Sequence, residues 1–187
     1  MIAALFVRKD GPYAGRPDID AWHLPRDARE YAGPWPVVAH PPCGRWGRLA
    51  MMHGGIPNED GGCFAAALAA VERWGGVLEH PHASRAWTTF GLPPASVDGW
   101  NRDLLGRPGW SCEVDQGRYG FPARKRTMLY YVGANPPSAR IDFGTGDIGR
   151  RAESGRCGVE ILSQRQRELT PPSFAAMLIE LARSSGA

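Results

Sequence analysis

Cys43 ends an apolar run, Val37-Val38-Ala39-His40-Pro41-Pro42-Cys43, and Gly44 follows it. Such a run reads as a short strand, and the residues after Gly44 read as a helix start. A thiol on a strand-to-helix turn is exposed, and the positive end of a helix lowers its pKa, so the expectation is a thiolate nucleophile. Pro41 and Pro42 stiffen the loop that aims the sulfur. Glu79 comes 36 residues later, closing a second apolar run, Val77-Leu78-Glu79, ahead of His80-Pro81. A third segment runs from Arg118 through Tyr119, Gly120, Phe121, Pro122 and Ala123 to Arg124-Lys125-Arg126. Three consecutive basic residues beside an aromatic turn suit contacts to phosphate or carbonyl oxygens. Gln116 and Arg118, just before that turn, are further candidates for touching a substrate.

The elements that must position these residues point to an α/β fold. Ala3–Arg8, Pro36–Ala39, Val77–Glu79 and Thr127–Val132 read as strands, and Asp27–Tyr31 as one helical turn. Cys63–Trp74 is rich in helix formers and stops at Gly75-Gly76. Strand, helix, strand is the unit of a parallel sheet, and ligands of such sheets sit outside the C-terminal strand ends. Cys43 and Glu79 are therefore expected side by side. Residues 91–120, rich in Gly, Pro and Trp, read as an irregular stretch over the sheet edge. Thr170 is expected to cap a C-terminal helix over about 171–184, with Pro171 and Pro172 in its first turn. Phe174, Met177, Leu178 and Leu181 would face the body at helical spacing. The expectation is a compact, mainly parallel, Rossmann-like layer flanked by helices, forming one catalytic domain over 1–187.

Composition narrows the function classes. A chain of 187 residues with 43% hydrophobic and 22% charged residues is globular in type. It has no apolar run long enough for a membrane span, and Met1–Val7 is too short for a signal peptide. The four cysteines, Cys43, Cys63, Cys112 and Cys157, form no CxxC pair, which points to a reducing, cytoplasmic setting. A net charge of +3 is mildly basic and does not by itself imply nucleic acid.

The three segments, His40-Pro41-Pro42-Cys43, Leu78-Glu79-His80-Pro81 and Tyr119-Gly120-Phe121-Pro122-Ala123-Arg124-Lys125-Arg126, together resemble the DNA cytosine-C5 methyltransferases. That family carries a Pro-Pro-Cys nucleophile loop, a Glu-Asn loop with a base-binding acid, and a YGxPQxRxR stretch before a strand, in this order. The resemblance implies that Cys43 adds to C6 of a pyrimidine extruded from DNA and that Glu79 holds the ring near N3. It also implies that Arg124 and Arg126 contact the pyrimidine O2 or flanking phosphates. Covalent addition of this kind splits one hard step into two easier ones. The departures are equally specific. The family's Gln after Pro-Pro-Cys is Gly44 here, its Asn after Glu is His80, and its Gln before the arginines is Ala123. Only 42 residues precede Cys43, with no Gly-rich S-adenosylmethionine loop and no room for a target-recognition region.

The covalent half of the family's chemistry is thus kept without its cofactor half. Thiolate addition at C6 also lets a leaving group depart from a C5 methylene, which an amine then attacks. The favoured expectation is a cofactor-independent DNA hypermodification enzyme of bacteriophage type, working in the host cytoplasm. It would join an amine or amino acid to activated 5-hydroxymethyluracil. A cytosine-C5 methyltransferase using S-adenosylmethionine and a non-catalytic nucleic-acid-binding module are the alternatives. So small a body is expected to grip duplex DNA with a second copy or a protein partner.

Other readings of the same residues stay open. Cys43 could be a buried small residue, Glu79 a surface carboxylate and the basic run a solvated face. His40, Cys43, Cys63, His80 and His82 match no standard zinc spacing, so no metal is expected. His40, His80 and His82 are expected at the pocket rim, with a proton-shuttle role for His80, and Pro42, Tyr119 and Lys125 are further candidates for binding substrate. Trp46 and Trp87 are candidates for stacking on an extruded base, and the other tryptophans for packing.

Overall fold

The computed structural model describes residues 1–47, 50, 56, 59–103, 106–137, 141–143 and 163–186. Six strands, β1 (Ile2–Leu5), β2 (Ile19–Trp22), β3 (Val37–Ala39), β4 (Gly76–Pro81), β5 (Trp110–Asp115) and β6 (Arg126–Val132), form one sheet in the order β2-β1-β3-β4-β6-β5. Helices α1 (Cys63–Trp74), α2 (Arg85–Thr89), α3 (Gln164–Arg167) and α4 (Pro172–Ser185) accompany it. The fold is α/β. Its sheet is mixed: β2-β1-β3-β4 run parallel, whereas β6 is antiparallel to both β4 and β5. The crossover through α1 makes β3 and β4 parallel, and the ten-residue return from β5 to β6 makes that pair antiparallel.

Strand alternation divides the core in two. On one face, Ile2, Ala4, Val38, Val77, Cys112, Val114, Leu129 and Tyr131 pack under Phe174, Leu178 and Leu181 of α4. On the other, Ala3, Leu5, Val37, Leu78, Met128 and Tyr130 pack under Phe64, Ala67, Leu68 and Val71 of α1. The helical spacing of Phe174, Met177, Leu178 and Leu181 is therefore the buried stripe it was expected to be. α4 begins one residue later than expected: Pro171 occupies the cap position without a side-chain cap, and Thr170 does not cap it. Asp27, by contrast, caps the 3₁₀ turn Ala28–Glu30 by accepting from the Arg29 N–H.

Four of these strands and α-helices were not foreseen. β2, α2 and α3 are short, and β5 lies inside the stretch expected to be irregular. The signal for β5 was present: Trp110, Cys112 and Val114 alternate with Ser111, Glu113 and Asp115, a period of two. At the other end of the sheet's centre, the start of β4 leaves no room for a side chain beside β3. Gly76 has φ +120°, and a Cβ there would stand 2.0 Å from the Val37 carbonyl oxygen. Only glycine fits that contact.

Candidate active site

The parallel run of β3 and β4 brings their C-terminal ends to one edge of the sheet, and β5, antiparallel to β6, ends at that edge too. The loop bearing Cys43 leaves β3, Glu79 lies near the end of β4, and residues 116–125 connect β5 to β6. All three segments singled out in the sequence consequently meet at one place.

Glu79 is the hub. Its Oε2 lies 2.9 Å from His40 Nδ1, and its Oε1 accepts from Gln116 Nε2 at 3.2 Å. Gln116 Nε2 also donates to Thr127 Oγ1 at 2.9 Å. Beyond His40, the Nε2 atom lies 2.8 Å from the Tyr13 hydroxyl. A largely buried chain of polar groups, half-buried at His40 and Glu79, thus runs Tyr13–His40–Glu79–Gln116–Thr127. Burial pushes the Glu79 carboxyl up, but the hydrogen bond and attraction of His40, helped by the charge of Lys125, outweigh it. The carboxyl ends below its ordinary value. Glu79 is therefore a carboxylate at neutral pH, not the proton-sharing acid that burial alone would make.

Cys43 is exposed, so a substrate ring can reach it. The expected helix does not follow: residues 44–47 form turns, with the Trp46 N–H bonded to the Cys43 carbonyl. What succeeds them at 48–49 lies outside the described residues. Loss of water around the sulfur and the Glu79 charge raise the thiol above its ordinary value, although Lys125 pulls the other way. The expectation of a lowered thiol pKa is corrected accordingly. Exposure decides access here, and the neighbouring groups decide acidity.

Lys125 is the basic residue that the fold delivers. Burial lowers its pKa, while Glu79 and Cys43 both favour its charge. Its Nζ donates to the Leu169 carbonyl at 2.9 Å and sits 4.8 Å from the Phe121 ring centroid. Arg124 and Arg126 go elsewhere. Thr127 is on Glu79's side of the sheet, so alternation turns Arg126 to the opposite face, where it pairs with Glu113. Glu113 also holds His82 at 2.8 Å, and Arg124 lies 3.4 Å from Asp115. The expected grouping of Arg124 and Arg126 with Glu79 is not found.

Several rim candidates also move. His80 is fully buried on the α1 face, 5.1 Å from the Phe64 ring and edge-on to it. Burial lowers its pKa to about 4, so it is a neutral core side chain and not a rim residue or shuttle. Trp46 is 2% exposed, wedged against Phe64 and Phe90, and its Nε1 donates to Asp60. Asp60 also accepts from the Gly62 and Phe64 N–H groups at the start of α1, so Trp46 is tied to a helix end and cannot stack on a base. Trp87 is likewise buried, its Nε1 bonded to the Pro93 carbonyl. Arg118 pairs with Asp142, and Tyr119 packs on Phe174 while its hydroxyl accepts from the Asp142 N–H. Pro42 is exposed beside Cys43.

Tyr13 and Thr127 are the members that the sequence did not reveal. Tyr13 sits in Gly11-Pro12-Tyr13-Ala14-Gly15, where no periodicity marks it, and 27 residues separate it from His40. Among the described residues, no group of three or more His, Cys, Asp or Glu could hold a metal ion, and no helix is long and apolar enough to cross a membrane. Comparisons with family models, with curated protein sequences and with solved structures return no match.

Proposed function

We propose that the chain is a DNA pyrimidine-modifying transferase that works at C5 of an extruded base through covalent addition of Cys43 at C6. One observation carries this reading. An exposed thiol stands within electrostatic reach of a half-buried carboxylate and a half-buried ammonium, at the sheet edge where the three family-like segments converge. A nucleophile, an acceptor for the ring edge and a cation for developing charge are what C6 addition requires.

The reaction follows from those roles. Cys43 loses its proton to water, with the Lys125 ammonium stabilising the thiolate. The sulfur bonds to C6, and the ring electrons move into an enolate over C4 and O4. If C5 carries an esterified hydroxymethyl group, the enolate expels the ester anion with its bonding pair and leaves an exocyclic methylene. An amine adds there, gives up one proton to water and regenerates the enolate. Breaking the C6–S bond then restores the aromatic ring and the thiolate. No S-adenosylmethionine enters, in keeping with a loop after β1 that lacks the Gly-rich sequence. Extruding the base costs a few kcal/mol, least where it is unpaired or modified.

The test is mass spectrometry of the protein after incubation with DNA containing a 5-fluoropyrimidine. An adduct on the Cys43 peptide, lost in Cys43→Ser, is the expected result. No adduct, or one on Cys63 or Cys112, defeats the reading. Micromolar binding of S-adenosylmethionine would return the reaction to methyl transfer.

A further inference from the structure

The Tyr13 hydroxyl constrains everything downstream of it. Tyr13 is 2% exposed, and among the described residues His40 Nε2 is its one hydrogen-bond partner. A phenol proton with no other acceptor must go to His40 Nε2, or remain buried and unpaired at a cost of about 1–3 kcal/mol. Once Nε2 accepts, a neutral His40 carries its proton on Nδ1 and donates it to Glu79 Oε2. At the other oxygen, the amide orientation of Gln116 is fixed in the same manner. The Thr127 hydroxyl donates to the Lys125 carbonyl at 3.3 Å, so its oxygen accepts, and Gln116 presents N–H groups to both Thr127 and Glu79. Both Glu79 oxygens thereby receive protons from the protein. A proton placed on Glu79 would have to reverse the histidine and orphan the tyrosine.

A ring edge meeting this carboxylate finds acceptor lone pairs, with the Lys125 ammonium nearby as a donor that has spent one N–H on Leu169. Uracil-type rings present N3–H and O4, a donor beside an acceptor. Cytosine presents N3 as an acceptor beside the N4 amino donor, the reverse pattern. Matching donors to acceptors across a buried edge discriminates more strongly than size does, because mismatched groups are left unpaired.

We propose that Tyr13 and His40 are specificity-determining positioning residues, which hold Glu79 as a proton acceptor so that the pocket takes uracil-type rings and rejects cytosine. The proposal rests on the covalent reading above and names how its substrate is chosen. The charged and titratable groups facing Glu79 are His40, Lys125, His80, Cys43 and Tyr13. His80, neutral in the core, and Lys125, a cation, leave the direction of the lock unchanged.

Two measurements on the full chain test it. Nitrogen-15 NMR of the histidine rings near pH 7 should show His40 as the neutral Nδ1–H tautomer, the less common one in free histidine. Tyr13→Phe should weaken that tautomer preference, leaving the Glu79 carboxylate alone to hold the Nδ1 proton. Rates of Cys43 adduct formation should favour DNA carrying 5-fluorodeoxyuridine over 5-fluorodeoxycytidine by at least about tenfold, roughly 1.4 kcal/mol. The ratio should fall below about threefold in Tyr13→Phe and in His40→Gln, with either folded variant sufficient. An Nε2–H tautomer or an imidazolium in the wild type overturns the lock, as does equal reaction of both rings. The expected tautomer with no adduct on either ring instead overturns the covalent reading and the selection built on it.

Discussion

Replacing Glu79 by Gln isolates what its negative charge does, because the two side chains have nearly the same shape. In the wild type each carboxylate oxygen accepts one N–H, from His40 Nδ1 at 2.9 Å and from Gln116 Nε2 at 3.2 Å. A glutamine has one acceptor oxygen, so one of these donors faces an amino group and loses its bond. A hydrogen bond to a charged group is worth about 1.5–3 kcal/mol. Opposing this, the variant no longer keeps a charge out of water. The lowered carboxyl pKa decides the contest, since it means that the folded surroundings favour the ionised form over the neutral one. Glu79→Gln should therefore lose about 1–3 kcal/mol at pH 7, measured by urea unfolding. The pH dependence has a definite sign. The folded pKa lies below the unfolded value near 4.5, so the charge stabilises fully above that value and its contribution disappears as pH falls through the folded one. The gap between wild type and variant should shrink from pH 7 to pH 3.5. A variant as stable as the wild type at pH 7, or a gap that stays constant on acidification, would refute this reasoning.

Three further outcomes follow from the same structure. His80 takes a proton near pH 6.5 when unfolded but only at about 4 when folded, so its stabilisation is complete above pH 6.5 and fades towards pH 4. That loss amounts to about 3 kcal/mol at 1.36 kcal/mol per unit, and His80→Leu should flatten it in unfolding curves taken across that range. Arg126→Gln should weaken the fold by about 1–3 kcal/mol by stripping the buried Glu113 of its cation, yet change the Cys43 adduct rate by less than about threefold. A large loss of adduct rate there would return Arg126 to the site. Gly76→Ala should give little folded protein by circular dichroism, because its Cβ collides with backbone and the φ of +120° is strained for any other residue.

Local pattern was enough for much of this protein. The apolar runs before Cys43 and around Glu79 are strands, and Cys63–Trp74 is the helix that makes them parallel neighbours. Residue type and spacing set those features, because strand pairing across a helical crossover is nearly forced. Facing and burial were decided only by the tertiary fold. Arg126 and Thr127 are adjacent in the chain, but the two-residue period of β6 sends one to Glu113 and the other to the Glu79 network. Trp46, three residues past Cys43, is drawn into the core by Phe64, Phe90 and Asp60, all distant in sequence. The acidity of Cys43 depends on Glu79 and Lys125 and on turns where a helix end was expected. Tyr13 reaches His40 only because the loop after β1 folds back over the same sheet edge. Electrostatics and hydrogen bonding act through space at a few ångströms, and a sequence orders residues only along the chain.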